Sequence, residues 1–249
     1  MTKTQIDKPK ILVIIPAYNE EAAISPLIER IRTLHPEIDL LIVNDGSSDR
    51  TVERVESCTL SGRKTVVSNA FNLGIGGTMQ TGFQIAAIER YDVAVQLDGD
   101  GQHDPESLSD LLHPILTDQC DIVVGSRFLS TSYGYRSTFF RRLGITFFSW
   151  ILRAFTGVNI SDPTSGYRAV NKNLINHFAE YYPCDFPEPE ALKMANRLGM
   201  RILEIPVKMK ERQGGVSSIR SWASAYYMIK VTGAILIDLL KPKSKNKYP

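Results

Sequence analysis

Two carboxylates one residue apart, Asp98 and Asp100 with Gly99 between them, are suited to holding a hard divalent cation. Mg2+ or Mn2+ takes one or two carboxylates and completes its shell with water and substrate phosphates. Gln102 and His103 follow closely enough to join or orient that shell. Taken alone, an acidic turn that merely ends a strand explains the same residues equally well. Asp45 is a further carboxylate, in Asn44-Asp45-Gly46-Ser47-Ser48-Asp49, where a strand runs into a helix start. There an aspartate can accept from a base or ribose hydroxyl, while helix amides favour nearby negative charge. Ser47, Ser48 and Asp49 read more simply as a capping turn. Pro16-Ala17-Tyr18-Asn19-Glu20 closes another strand, the proline ending its ladder, and supplies a floor for a nucleotide pocket.

The elements that must position these groups are short apolar runs alternating with helical patterns. Strands are predicted at Ile11–Ile15, Leu40–Val43, Thr65–Val67, Val93–Leu97 and Asp121–Gly125. Helices are predicted over Glu20–Leu34, from near Ser48, over Gly77–Arg90, and over Pro105–Thr117 with Asp104 as N-cap. This alternation argues an α/β fold with a mostly parallel sheet and helices on both faces. In such sheets the ligand site lies beyond the carboxyl ends of the strands. The polar residues fall there: Asn19-Glu20 after the first strand, Asp45 after the second, Asp98–Asp100 after the fourth, and Ser126-Arg127 after the fifth. The second half is less regular. Asp162–Arg168 reads as a polar loop, Glu188–Leu198 as a helix, Arg201–Val207 as a strand, and Trp222–Leu240 as a long apolar helix.

Composition narrows the class. The chain has 249 residues, 43% hydrophobic and 22% charged, which excludes a disordered chain and a multi-span membrane protein. With 29 basic against 27 acidic residues, no global field favours nucleic acid. Cys58, Cys120 and Cys184 lack metal-ligand spacing and read as reduced, mostly buried thiols of a cytoplasmic protein; the polar start, Met1–Lys10, has no signal-peptide pattern. Gly74-Ile75-Gly76-Gly77 imitates a dinucleotide fingerprint, but it lies at the third crossover and lacks the following acidic residue, so NAD is rejected. A glycine-rich turn allowing close backbone approach to a ligand or a neighbouring strand fits better.

Taken in order, Ile15-Pro-Ala-Tyr-Asn-Glu20, Asn44–Asp49, Asn72–Gly77, Gln96-Leu-Asp-Gly-Asp-Gly-Gln-His103 and Gly125-Ser-Arg127 resemble family 2 glycosyltransferases of the GT-A (Rossmann-like) fold. Asp162-Pro-Thr-Ser-Gly-Tyr-Arg168 and Arg212–Ser218 look most like the branch of dolichyl- and polyprenyl-phosphate sugar synthases. The resemblance covers about residues 10–220 and implies a GT-A domain over 1–220; the residues after it read as an amphipathic helix and basic tail over 221–249. It implies a nucleotide-sugar donor bound by Pro16, Ala17, Tyr18, Glu20, Asp45, Gly76, Asp98 and Gly99. It also implies a Mg2+ or Mn2+ ion on Asp98, Asp100 and Gln102, with Arg127 and the Arg212 loop steadying phosphates and Arg168 among the donor-binding residues. A departing nucleoside diphosphate develops negative charge that a cation and arginines would stabilise.

Asp162 and the pair Glu188/Glu190 are the candidates for a general base, and in the resemblance Glu190 matches the position that deprotonates acceptor hydroxyls. A lipid phosphate acceptor is already anionic and needs no strong base; Asp162 and Glu190 would then orient groups. Glu188 also reads as favourable charge at a helix start, and Arg168 as a group that holds its loop.

Trp222, Tyr226, Ile229, Gly233, Leu236 and Leu240 form one stripe of a helix, followed by Lys241, Lys243, Lys245 and Lys247. Nineteen residues reach roughly 28 Å, but Lys230 near the centre would cost about 2.5–3.5 kcal/mol to insert and Asp238 adds to that. An interfacial helix fits better than a membrane-spanning one, the lysines each gaining about 1 kcal/mol near anionic lipid. A helix packed on its own domain or on a second subunit is the alternative. Phe139–Phe155, with arginines among its aromatics, could lie at the headgroups and guide a polyprenyl phosphate.

The sequence thus points to an inverting, metal-dependent glycosyltransferase, peripheral at the inner face of the cell membrane, with a polyprenyl phosphate or lipid-linked acceptor and no nucleic acid partner. Transfer to a sugar hydroxyl of a surface polysaccharide, and a non-catalytic nucleotide-sugar-binding scaffold, are the rivals. A nucleotidyltransferase would need a basic Gly-rich phosphate loop after the first strand, which Pro16–Glu20 is not.

Overall fold

The structure, a computed structural model, describes residues 8–59, 62–129, 149, 153 and 159–209. The Phe139–Phe155 segment (save Ser149 and Arg153), Arg212 with its loop, the Trp222–Leu240 helix and the lysine tail lie outside the described residues.

Chain order is β1 (Ile11–Ala17), α1 (Ile24–Leu34), β2 (Asp39–Asn44), α2 (Thr51–Ser57), β3 (Lys64–Ser68), α3 (Gly74–Ile88), β4 (Val93–Gln96), a 3-10 turn (Pro105–Ser107) running into α4 (Leu108–Leu116), β5 (Ile122–Ser126), β6 (Arg168–Asn171), α5 (Lys172–Glu180), α6 (Pro187–Arg197) and β7 (Ile202–Pro206). Among the described residues the strands form a seven-stranded sheet ordered β3-β2-β1-β4-β6-β5-β7. Every pairing is parallel except those of β6, which runs against both β4 and β5.

The apolar runs are continuous because both faces are covered. Val13, Ile15, Leu40, Ile42, Val95 and Val123 pack under α1 and α4. Leu12, Ile14, Leu41, Ala94, Ile122 and Val170 pack under α3, α5 and α6. Alternate residues of one strand therefore serve opposite layers. As expected, Asp104 accepts the Glu106 amide (3.3 Å) and Pro105 opens the turn.

Three expectations need correction. Pro16 does not end β1: it pairs with Val43, and Ala17 pairs with Asn44. A residue in a parallel strand points its N and C=O to the same neighbour; Pro16 O accepts from the Gly99 amide, so its ring nitrogen faces the β4 side, beyond the last paired residue Gln96, and the pairing with β2 loses no donor. Second, the second half is more regular than its sequence reads: residues 168–180 form β6 and α5, and β6 inserts into the middle of the sheet. Third, of the cysteines only Cys120 is buried, whereas Cys58 is half-buried and Cys184 exposed.

Candidate active site

Register sets the site. Gln96 lies opposite Ile14 on β1, and Asn44 opposite Ala17, so the turns after β4 and β2 emerge at one edge, on either side of Pro16–Ala17. Adjacent strands are about 4.8 Å apart, which puts the two turns roughly 10 Å from each other. Backbone bonds carry the convergence beyond the strands: the Gly99 amide donates to Pro16 O (3.3 Å) and the Asp45 amide to Ala17 O (2.9 Å). A Cβ on Gly99 would stand 2.9 Å from Pro16 O and 3.6 Å from Glu20 Cγ. A glycine is thus required between the two aspartates, and buried Glu20 lies beside that turn.

The loops of β1 and β2 are zipped together. Asn19, in the left-handed region at φ 56°, donates its amide to Ser47 Oγ (3.0 Å) and accepts from the Ser48 amide on Oδ1 (2.8 Å). The Glu20 amide donates to Thr51 Oγ1 (2.8 Å). Asp49 accepts from the Glu21 and Thr51 amides, which fits the capping-turn reading. Tyr18 is left 51% exposed at the rim, while the Ala17 side chain joins the core under α1.

Asp45 is buried, and its carboxylate is held by the start of α3. Oδ1 accepts from Asn69 Nδ2 (2.9 Å) and the Leu73 amide (2.8 Å), and Oδ2 from the Gly74 amide (2.9 Å). A carboxylate on helix N-terminal amides has the favourable polarity; Asp45 thereby fixes the β3–α3 connection beside the zipped loops. Gly76 has a different reason to be glycine. A Cβ there would come within 2.3 Å of Pro183 O, so it admits the 183–184 backbone.

The turn after β4 combines mobility-limiting contacts with accessible oxygens. The Asp98 side chain is 36% exposed. Its amide donates to His103 Nδ1 (3.0 Å), which fixes the neutral imidazole as the Nε2–H tautomer, and Nε2 faces Asp98 Oδ2 at 3.6 Å. The His103 ring is buried and stacked on Tyr167, centroids 4.8 Å apart and 9° from parallel. Gln96 Nε2 donates to Asp98 Oδ1 (3.2 Å). Asp100 Oδ1 accepts the Gln102 amide (3.0 Å) across Gly101, whose φ is +74°.

Because β6 runs antiparallel, the segment preceding it arrives at this same edge. Gly166 stands against Asp98: a Cβ there would lie 3.0 Å from Oδ2 and 2.9 Å from Gln96 Nε2. Asp162 is completely buried and accepts four hydrogen bonds from two residues after β5 and beyond. Oδ2 receives the Arg127 amide (3.1 Å) and Nε (2.6 Å); Oδ1 receives Arg127 Nη2 (2.6 Å) and the Thr164 hydroxyl (3.3 Å). Such a fork-to-fork pair fixes the arginine's plane as well as neutralising it. Glu204 on β7 holds the segment from below, accepting the Ser161 and Asp162 amides and the Ser161 hydroxyl at 2.8–3.0 Å. Arg168 spends its guanidinium on backbone carbonyls of Ser165 (2.7 Å), Pro163 (2.8 Å) and Glu188 (2.5 Å). It braces the loop and the start of α6, as a loop-holding group would, but through carbonyls instead of an ion pair. Burial pushes the Glu188 carboxyl above the usual carboxylate range, against the pull of Arg168, and Asp98 adds to the upward push. Glu190 is half-buried in the same first turn of α6.

Pro16, Tyr18, Glu20, Asp45, Asp98, Gly99, Asp100, Gln102, Arg127, Asp162 and Arg168 thus belong to one edge of the sheet. The sequence assigns no role to Gln96, Gly166 or Glu204. A buried glutamine ending an apolar strand was a legible signal for the first; the other two depend on which strands become neighbours. The donor set of Asp98 and Asp100, hard oxygens on a turn beside an amide side chain, suits Mg2+ or Mn2+, which leave most positions to water and phosphate. No group of three His, Cys, Asp or Glu side chains that could hold a metal occurs among the described residues.

Residues 12–178 match the family described as Glycosyl transferase family 2. The undecaprenyl-phosphate mannosyltransferase of Micrococcus luteus is 31% identical over 228 residues, covering 90% of this chain and 93% of that protein. The polyprenol monophosphomannose synthase of Mycolicibacterium smegmatis is 29% identical over 230 residues, covering 88% and 84%. Among solved structures, glucosyl-3-phosphoglycerate synthase from Mycobacterium tuberculosis has the same fold, with a TM-score of 0.70 at 21% identity over 95% of this chain and 82% of that one. The same synthase has been crystallised with Mn2+, uridine diphosphate and glucosyl-3-phosphoglycerate (TM-score 0.68, 22% identity, 93% of this chain and 80% of that one). With two thirds of its length matching and a relative similar nearly end to end, the chain belongs to glycosyl transferase family 2.

Proposed function

We propose that the protein transfers a sugar, with inversion, from a nucleotide-sugar donor to a polyprenyl phosphate. The observation that carries this reading is the meeting of the Asp98–Asp100 turn with the Pro16–Glu20 and Asp45 turns at one carboxyl edge. The donor lies along β1 and β2, over Tyr18 and the loops that Asn19 and Asp45 fasten together. Asp98, Asp100 and Gln102 would hold Mg2+ or Mn2+, which would neutralise the charge building on the departing diphosphate. Gln96, Gly166 and His103 set the direction of the Asp98 carboxylate. Arg127, fixed by Asp162, and Arg212 steady the phosphates.

The acceptor assignment draws on the relatives, whose names specify undecaprenyl phosphate and polyprenol monophosphomannose, and on the state of Asp162. Its four hydrogen bonds leave it a positioning group for Arg127, and an anionic lipid phosphate attacks without a base. No helix among the described residues is long and apolar enough to cross a membrane. Residues 221–249, as an interfacial helix with a lysine tail, would bring the edge to lipid at the inner leaflet. The test is a panel of nucleotide sugars with Mn2+ and short polyprenyl phosphates, scored by product mass. Asp100→Ala should abolish transfer with the circular dichroism unchanged; undiminished turnover refutes the metal role.

A sugar-hydroxyl acceptor is the second reading, favoured by Glu190 in the first turn of α6 near the edge. Glu190→Gln should collapse a hydroxyl reaction and spare a phosphate one.

A further inference from the structure

Beneath Asp98, on the face covered by α3, α5 and α6, several polar groups meet in an apolar layer. Gln96 and Arg168 are directly paired across β4 and β6, so their side chains leave the sheet on one face. Tyr182 packs there with Phe83 and Phe178, ring centroids 5.2 and 5.0 Å away, and is 3% exposed. Its hydroxyl has no hydrogen-bond partner among the described residues, and burial pushes its pKa up, so it stays an O–H donor. Gln96 is 4% exposed. Its amide nitrogen goes to Asp98, and its Oε1 has no donor among the described residues. The large majority of buried side-chain polar atoms are paired, and each exception calls for an explanation.

Between these groups lies a small cavity of about 10 Å3 open to a water's centre, lined by Gln96, Arg168 and Tyr182 with apolar side chains including Phe83, Ala94 and Ile122. That is the room one water molecule occupies, and a buried water needs two to four polar partners. The residues that line it carry such partners: the Tyr182 hydroxyl, Gln96 Oε1, and the Arg168 guanidinium, which has five N–H donors of which three bond the carbonyls of Ser165, Pro163 and Glu188.

We propose that this cavity is a binding site for a single ordered water, accepting from Tyr182 and donating to Gln96 Oε1, and that Tyr182 is thereby a positioning residue for Asp98. The chain of contacts runs Tyr182, water, Gln96, Asp98. Oε1 held by the water fixes the amide plane, and the amide plane fixes Nε2 on Asp98 Oδ1. Without that hold the Gln96 amide can rotate away, and Asp98 loses a contact that keeps its carboxylate aligned.

The inference deepens the proposed cation site and rests on that reading for its second half only. A crystal structure of the wild-type protein at 1.8 Å or better tests the first half. One water within hydrogen-bond distance of Tyr182 Oη and Gln96 Oε1 is expected, and a dry cavity overturns the proposal. Tyr182→Phe removes one oxygen at unchanged shape. Its Mn2+ dissociation constant, read from the paramagnetic resonance of free Mn2+ without any substrate, should rise about tenfold, the lower range for groups behind metal ligands. Its melting temperature should stay near that of the wild type, since no apolar contact is lost. Unchanged Mn2+ affinity with the water present in wild type overturns the positioning role. If Asp98→Ala and Asp100→Ala bind Mn2+ as tightly as wild type, the cation reading itself has failed, whereas the water is judged by density alone.

Discussion

Gly166→Ala separates the chemistry of the edge from its stability. The new Cβ would sit 3.0 and 3.2 Å from the Asp98 carboxylate oxygens and 2.9 Å from Gln96 Nε2. All three are ends of side chains, so the strain is relieved by their retreat and not by a backbone shift. The stability cost belongs at the low end of overpacking, about 1 kcal/mol, or a fall in Tm of roughly 2–4 °C for a chain of this size. Function should suffer far more. The retreat moves Asp98 by several tenths of an ångström, while productive sites are held within about 0.5 Å and a 1 Å misplacement costs around 100-fold. We expect kcat/KM to fall about 10- to 100-fold, with a raised Mn2+ requirement. The assay is sugar transfer to a short polyprenyl phosphate across a Mn2+ titration, beside thermal unfolding of the same samples. Wild-type turnover would show that Asp98 need not stand where Gly166 lets it; lost activity matched by a large loss of folded protein would show a structural role instead.

Asp162→Asn should break the buried fork-to-fork pair with Arg127, whose side chain is 8% exposed, and breaking such a pair costs about 3–5 kcal/mol; a Tm drop near 10 °C by calorimetry is expected, and a drop under 2 °C would deny the pair its role. Burial raises the Glu188 pKa, so its stabilising contribution is present below the unfolded value of 4.5 and is lost as pH rises towards the folded one. Glu188→Gln should therefore melt above wild type at pH 7.5, the advantage shrinking to nothing near pH 4.5; a pH-independent difference contradicts this. Burial and neighbouring Asp121 push the Cys120 thiol up to about 11. A thiol reagent at neutral pH should label exposed Cys184 first and Cys120 only on unfolding, with labelled peptides read by mass.

Much of this was legible in sequence, for a physical reason. Strands covered on both faces must be apolar throughout, so Ile11–Ala17, Asp39–Asn44 and Ile122–Ser126 announce themselves, and the polar residues after them fall at the ligand edge. Arg168-Ala-Val-Asn171 carries only two apolar residues, because its ends are spent on bracing the loop and capping α5; a strand of four residues inside borrowed walls leaves little periodic signal. The partners of Asp162 were hidden likewise. An aspartate in a polar loop reads as a base candidate until Arg127 and Glu204, distant in sequence, are seen to close on it. Pro16 misled in the opposite direction, since whether a proline interrupts a sheet depends on whether the neighbouring strand extends that far.

The reversed strand also dictates the order in which the molecule can be assembled. Because β6 separates β4 from β5, a nascent chain that has emerged only through Ser126 possesses a four-stranded half-sheet and an orphan strand with nothing to join. Completion must wait for residues 168–171, and β7 can add only after them. Ribosome-stalled chains with residues exposed to Ser126 and to Asn171 should differ abruptly in protease resistance, since only the latter can join β5 to the sheet through β6.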